Sequence, residues 1–371
     1  MPISAVDCVQ PAIQHTREQL FTRFHWGQWS RLALVGILAA ELHSGGCGSF
    51  PSFNLPTSRP RSGSHGFMAP PFIPHIDPAH IAQFAGLIAA VLILAFILFF
   101  LFLYISSVFR FILFESVLTK RCSIGEGWQR WHGTGRRFFL WQIVFLIATW
   151  LFLGFLIGIP IAVAAAAGWW ANPARHLGPV IGGAILLFGL LILFALAAAA
   201  VHALAKDFLV PVMALEGLDF ADGWSRLLAM MRPEFGKYVV YLLMKLVLSI
   251  AAGILFSIIA IIPAFAVIVP AAILVFVGKA AGMGWNVTTI SLAVIVGTVF
   301  LLILIYLIAL VSVPATVFFP AYSIYFFASR YPNLDALLHP APPVAPEFPT
   351  AVPESPPPEP PPLPPSPEPI G

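Results

Sequence analysis

Ile81–Tyr104 reads IAQFAGLIAAVLILAFILFFLFLY, an apolar run without a single charge. A helix rises about 1.5 Å per residue and needs about 20 apolar residues to cross the hydrocarbon core, so the run predicts a transmembrane helix. Its aromatic stretch Phe96–Tyr104 reads as lipid-facing or packed core rather than as a cofactor pocket. Four further runs meet the same length criterion: Phe138–Ala167, Val180–Val201, Tyr238–Val269 and Ile290–Val313. A sixth, Leu32–Ala40, is too short alone. With Trp26 and Trp29 beside it, it reads as a short or re-entrant first span continuing an amphipathic N-terminal helix. A cleaved signal peptide is the rival reading of that segment. The expected fold class is all-α, a polytopic transmembrane helix bundle of about six spans. Pro160 and Pro263 lie inside two of the runs and are expected to kink them. Residues 264–278 read either as an extension of the Tyr238–Val269 helix or as a half-helix folding back.

Bulk composition agrees. Of 371 residues, 59% are hydrophobic and 9% charged, with a mean hydropathy of +0.92. A soluble domain carries roughly 25% charged residues, so most of this chain lacks the makings of a watery surface. Net charge is only +3, which gives no case for nucleic acid. Cys8, Cys47 and Cys122 are odd in number and far apart, so they build neither a disulfide framework nor a CxxC metal pair.

The side of each connection follows from Lys and Arg. Fourteen of them fall in the segment to Arg31, the 106–137 and 205–237 connections, and Arg330, whereas the alternate side holds only Arg59, Arg61, Arg175 and Lys279. This asymmetry places both termini in the cytoplasm and the chain in the cell (inner) membrane. Residues 1–30 then form a cytoplasmic amphipathic segment and 31–338 the transmembrane domain. That domain carries a Gly/Ser/Pro-rich outer loop at 41–79 and a last span at 290–313. Residues 339–371 are expected to form a disordered, proline-rich acidic tail: from Pro340 onward 16 of 32 residues are proline, four are Glu, and none is Lys or Arg. Such a tail cannot bury a core and favours extended polyproline II. Its Pro-Pro-Leu-Pro-Pro stretch offers a PxxP frame for a protein partner.

The chain also repeats itself. Ile124-Gly-Glu-Gly-Trp-Gln-Arg130 matches Phe220-Ala-Asp-Gly-Trp-Ser-Arg226 at an offset of 96 residues. Both copies follow one span and precede the next, defining parallel repeat units at about 81–167 and 180–269, each a span, a short interfacial helix and a span. Inverted repeats mark many secondary transporters, and these are not inverted. Ser123 with Glu126 suggests a capping box, and Asp219 with Asp222 places two carboxylates where a helix N-terminus favours them. Within the motif, Gly127 and Gly223 permit close helix approach. Trp128 and Trp224 suit the headgroup level, and Arg130 and Arg226 reach phosphates or carbonyls from there. All six read as interfacial anchors, or as a lipid-headgroup site.

No strong catalytic motif is present: there is no HExxH, GxSxG, P-loop or GxGxxG. No cofactor is called for. Buried ionisable groups are costly in a membrane and so are the natural place to look. Lys245 lies inside a span. It either snorkels to the headgroups or pairs with Asp207 at the end of the preceding span, locking two helices. In the outer loop His43, Cys47, His65, His75, Asp77 and His80 have metal-ligand chemistry, but no fixed-spacing zinc motif, and loop histidines are the plainer reading. Gly182-Gly-Ala and Ala195–Ala200 are small-residue stretches that allow close helix packing.

The leader Arg17-Glu-Gln-Leu-Phe-Thr-Arg-Phe-His-Trp-Gly-Gln-Trp-Ser-Arg-Leu32, the Gly-rich outer loop, Asp207-Phe-Leu-Val-Pro-Val-Met213 and Tyr322-Ser-Ile-Tyr-Phe-Phe327 resemble a family of uncharacterised bacterial and archaeal membrane proteins. That family is distantly similar to the membrane domain found ahead of some glycerophosphodiester phosphodiesterases. The resemblance covers roughly residues 12–338 and carries over no catalytic residue. Three functions remain open. The leading one is a non-enzymatic membrane component that interacts with the lipid bilayer or with proteins. A transporter or permease would line a water-accessible cavity with Lys245, Gln142 or His202. A membrane enzyme acting on lipid would cluster Asp207, Glu115 and Glu126.

Overall fold

The computed structural model describes residues 4–22, 24–39, 78–169, 176–282, 284 and 286–339. Nearly all of them are helical, and no strand occurs among them. The chain runs through α1 (Val9–Arg17), a π-helical turn (Glu18–Thr22), α2 (Trp26–Leu38), α3 (Pro78–Leu118) and α4 (Ile124–Ala166). It continues through α5 (Leu177–Leu204), a second π-helical turn (Ala205–Leu209), α6 (Val210–Glu216), α7 (Phe220–Met231), α8 (Phe235–Ala280), α9 (Val287–Ala328) and α10 (Pro332–Leu338). Five segments are long and apolar enough to span a bilayer, and the protein is an all-α polytopic helix bundle. The outer loop with its His and Cys residues, and the proline-rich tail from Pro340, lie outside the described residues.

Four of the five long expected spans sit inside longer helices, and Phe138–Ala167 overruns α4 by one residue. α3 runs on from Tyr104 to Leu118, and α9 from Val313 to Ala328. Hydropathy falls along these extensions, but the helical ladder does not stop, because neighbouring helices bury the extra turns. α8 continues unbroken through Pro263 and Pro270, so 264–278 extends the helix rather than folding back. Interior prolines are tolerated where neighbours supply the lost backbone partners. In α9, Pro314 has no N–H for the carbonyl of Leu310, and the indole Nε1–H of Trp29 donates to that oxygen at 3.0 Å. α2, at 13 residues, is too short to span as a helix.

The core lies at one end of the bundle. Val108, Phe111 and Val117 of α3, Phe138 of α4, Phe208 and Met213, Tyr241 of α8, and Val317 and Phe326 of α9 are all buried there. Beyond it the helices present apolar side chains outward: Ile88–Phe102 of α3, Trp150 and Phe155 of α4, Phe188 of α5, Ile262 and Phe276 of α8. An apolar surface of that size is untenable in water and is the expected face towards lipid.

The N-terminal segment belongs to this core. A helix leaves its last four carbonyls without intrahelical donors. At the end of α3, Gln19 Nε2 donates to Ser116 O at 3.0 Å, and His15 Nε2 contacts Val117 O at 2.9 Å. A carbonyl only accepts, so the His15 proton sits on Nε2, leaving Nδ1 to accept from the Tyr325 hydroxyl at 3.2 Å. Burial holds the His15 pKa below its usual value, in keeping with a neutral ring. The chain then leaves α3 through Lys120 at φ +56°, a left-handed residue that ends the helix.

The repeat is visible as two helical hairpins, α3–α4 and α5/α6–α7/α8. In the first, the expected short helix is not separate: it is the opening of the 43-residue α4. In the second it is α7, divided from α8 by a 3-10 turn at Arg232–Glu234 that contains Pro233. The capping box expected at Ser123 does not form. Ser123 and Asp219 hold extended N-cap backbones without side-chain cap bonds. The Asp219 carboxylate turns instead to Arg137 Nε at 3.0 Å, tying the second hairpin to the first.

Candidate functional site

Pro211 organises the site. Its ring has no N–H and collides with the carbonyl four residues back, that of Asp207. The helix responds by widening to a π turn over Ala205–Leu209 immediately before it. That turn aims Asp207 into the bundle, where it is buried. Lys245 of α8 reaches it with Nζ 2.6 Å from Oδ1 and 2.5 Å from Oδ2, and Tyr241 Oη donates to Oδ2 at 2.9 Å. Of the two readings of Lys245, the geometry is that of the helix-locking pair, with the ammonium buried rather than snorkelled. Tyr241 is in turn stacked on Tyr322 of α9, centroids 5.2 Å apart and 9° from parallel. Tyr322 Oη donates to Ala5 O at 3.0 Å.

A small cavity of about 30 Å³ opens beside this pair, lined by Arg110, Lys206, Asp207, Lys245 and Ser323 among apolar neighbours. Arg110 and Lys206 are the residues that counting charges by connection misplaces. Arg110, counted by sequence with the 106–137 connection, lies within α3, is buried, and has its guanidinium carbon 5.7 Å from the Phe138 ring. The signal was available: Ser106–Phe114 reads SSVFRFILF, one cation among apolar neighbours. Arg110 Nη2 also lies 3.4 Å from His202 Nε2, and His202 stacks against Trp141 at 6.3 Å.

The six motif residues do not meet in one place. Gly127 and Gly223 both face the preceding helix of their own hairpin. A Cβ on Gly127 would stand 3.0 Å from Ile112 Cγ1, and one on Gly223 would stand 2.8 Å from Leu209 Cδ1. Trp128 packs edge-on against Tyr104 at 6.1 Å, and Trp224 lies 6.1 Å from Trp141. Arg130 is engaged by Glu115, which also accepts from Trp131 Nε1 at 2.5 Å. Arg226 lies 3.6 Å from Glu216, which accepts from Tyr331 Oη at 2.7 Å. The Arg side chains thus close each hairpin at its turn.

The residues expected to line a transport path or to form a lipid-cleaving cluster are separated. Gln142 accepts from Ser107 Oγ at 2.6 Å and His202 faces Arg110, leaving Lys245 alone of the three on the cavity. Glu115 serves Arg130 and Trp131, Asp207 serves Lys245 and Tyr241, and Glu126 is exposed in the first turn of α4. Among the described residues no three His, Cys, Asp or Glu side chains group as a metal site. By contrast, the segments Asp207–Met213 and Tyr322–Phe327 do converge: Phe208 packs on Phe326 at 5.9 Å and on Phe327 at 5.1 Å.

With this geometry in place, comparison with known proteins gives one result. Residues 3–337 match a family of unknown function (DUF7544), and the chain belongs to it. No curated protein and no solved structure matches the chain.

Proposed function

We propose that the protein is a non-enzymatic component of the cell membrane that interacts with lipid or with partner proteins. The observation that carries this reading is how the acids at the helix crossings are used. Asp207 and Glu115 each accept from two side chains of a neighbouring helix, and Glu216 at the hairpin turn accepts from Tyr331 and pairs with Arg226. A carboxylate so engaged fixes helices and is poorly placed to shuttle protons. We read the resemblance of the sequence motifs to the membrane domain ahead of some glycerophosphodiester phosphodiesterases as in keeping with a lipid-facing role. The Lys/Arg asymmetry supports both termini in the cytoplasm. The proline-rich tail is proposed as the docking strip for a protein partner.

The test uses the full chain in vesicles, with release of lipid headgroups and flux of small solutes as readouts. Neither is expected above protein-free vesicles, while native mass spectrometry finds retained phospholipid. Turnover or flux that Asp207→Asn abolishes in folded protein would remove the reading.

A further inference from the structure

Farther along the α8–α9 pair than the Tyr241–Tyr322 stack, the side chains shrink to Ala252 on α8 and to Pro314 and Ala315 on α9. These small residues leave a groove of about 570 Å³, walled by the aromatic rings of Phe256, Phe318 and Phe21. That volume falls in the range of roughly 300–1,000 Å³ typical of small-molecule sites, which are apolar with a few placed polar groups. The one charged group here is Arg17, the last residue of α1, and exposed Ile13 and Phe21 flank it where the groove reaches the surface. Arg17 is exposed and meets no hydrogen-bond or ion-pair partner among the described residues. Its neighbour Glu18 is engaged by Lys120 at 2.8 Å and by Gln14 at 3.0 Å. The α8 wall continues into exposed Leu255 and Ile259, part of the face towards lipid. At the Arg17 end the groove adjoins an aromatic knot: Phe21 lies 5.7 Å from Trp29, Trp29 5.5 Å from Phe24, and Phe24 6.3 Å from exposed Trp26. Indole rings gather at the headgroup level of a bilayer.

We propose that this groove binds one phospholipid, with an acyl chain against α8 and α9 and the phosphate on the Arg17 guanidinium, resting on the lipid-interaction reading above and naming the site and ligand within it. The two ends of the groove match the two ends of such a molecule. Its apolar floor asks for a chain, and the planar guanidinium offers paired donors to phosphate oxygens. A peptide segment fits the floor less well, because its backbone N–H and C=O groups would need partners there. The one hydroxyl available, Thr16 Oγ1, already donates to Ala12 O at 2.8 Å. An acyl chain needs no hydrogen bond.

The experiment titrates the full chain, delipidated in detergent, with dioleoylphosphatidylglycerol or with dioleoylglycerol, which carries the same chains and no phosphate. Bound lipid is read by native mass spectrometry, and thermal unfolding verifies that each variant is folded. Wild type and the surface control Lys237→Gln are expected to bind one phosphatidylglycerol about tenfold more tightly than dioleoylglycerol, the size of one charge-assisted hydrogen bond. Arg17→Gln should remove that preference, and Arg17→Lys should keep most of it. Ala252→Phe fills the groove and should abolish binding of both lipids, whereas Ile262→Phe, on the exposed face of the same helix, should leave both unchanged. Equal affinity of wild type for the two lipids, or binding that folded Ala252→Phe retains, overturns the groove site. A dimer that Ala252→Phe dissociates without loss of lipid gives the groove to a second copy of the chain and overturns it as well. Phospholipid bound elsewhere on the chain would then leave the broader reading standing, whereas turnover or flux lost in Asp207→Asn removes that reading and not the groove.

Discussion

The two hairpins share a frame and fill it with different chemistry. At the offset of 96 residues, Phe111, Phe145 and Thr149 of the first correspond to Asp207, Tyr241 and Lys245 of the second. Phe111 stacks on Trp131 at 5.7 Å and meets Phe138 edge-on at 5.8 Å, an aromatic joint with no charge in it. Its counterpart Asp207 is the buried carboxylate of the Lys245 pair. The difference begins one turn later, where Glu115 in the first copy is Pro211 in the second. Glu leaves the helix regular and closes the hairpin turn through Arg130; Pro forces the π turn that swings Asp207 inward. The charged joint of the second copy thus needs Asp207 and Lys245 in place of Phe111 and Thr149, with the π turn before Pro211 setting the local backbone.

The comparison breaks most severely at Lys245. Lys245→Ala leaves Asp207 buried with Tyr241 as its remaining donor, at a cost of about 3–5 kcal/mol. Thr149→Ala, at the matching place, removes only a hydroxyl bonded to Phe145 O and costs under about 1 kcal/mol. Unfolding in detergent, followed by tryptophan fluorescence, measures both. The double variant Asp207→Asn with Lys245→Met is expected to recover most of the loss, since neither partner is then an unpaired charge. Equal losses for Lys245→Ala and Thr149→Ala would mean that the two joints are energetically alike.

How far this could be read beforehand depends on which physics each feature follows. The five spans were legible because transfer into lipid is a property of local composition, summed over about 20 residues. Helix ends were not, because the added turns of α3 and α9 are held by packing. Arg110 illustrates the consequence: counted as part of a connection, it lies in a helix. The Asp207–Lys245 pair was one of two readings of Lys245, and only the crossing of α5/α6 and α8 decides it. At Gly127 and Gly223 an added Cβ would meet Ile112 and Leu209 of the preceding helix. The capping box expected at Ser123 does not form: its backbone is extended as an N-cap, but its side chain makes no cap bond.

A second, smaller contrast lies in how closely each hairpin closes. Gly135 in α4 lets the helix touch α3: an added Cβ would stand 2.9 Å from the Cα of Val108 and 2.7 Å from its Cγ2. Met231 occupies the matching place in the second copy, where the Arg232–Glu234 turn holds α8 apart from α7. Gly135→Ala therefore pushes on backbone and is expected to destabilise by about 1–2 kcal/mol net of its gain in helix propensity. Gly223→Ala meets only side-chain atoms, the terminal Cδ1 of Leu209 and Cγ of the flexible Met213, and should be near neutral. The same unfolding assay ranks the pair. A larger loss at Gly223 would mean that the second hairpin is the tighter one.

The smallest effect separates the copies by sign rather than by size. Gln142 of the first accepts from Ser107 Oγ, while its counterpart Tyr238 buries a hydroxyl that meets no hydrogen-bond partner among the described residues. Tyr238 packs edge-on against Phe208 at 5.4 Å and Phe326 at 5.6 Å, so its ring fits the joint whether or not the oxygen is present. Removing a satisfied polar group loses its bond, whereas removing an unsatisfied one relieves a desolvation cost. Gln142→Leu is accordingly expected to destabilise by about 1 kcal/mol, and Tyr238→Phe to be neutral or to stabilise by up to about 1 kcal/mol. A clear loss of stability in Tyr238→Phe would place a water or a lipid oxygen on that hydroxyl. The second hairpin would then hold its polar joint open to solvent where the first is sealed.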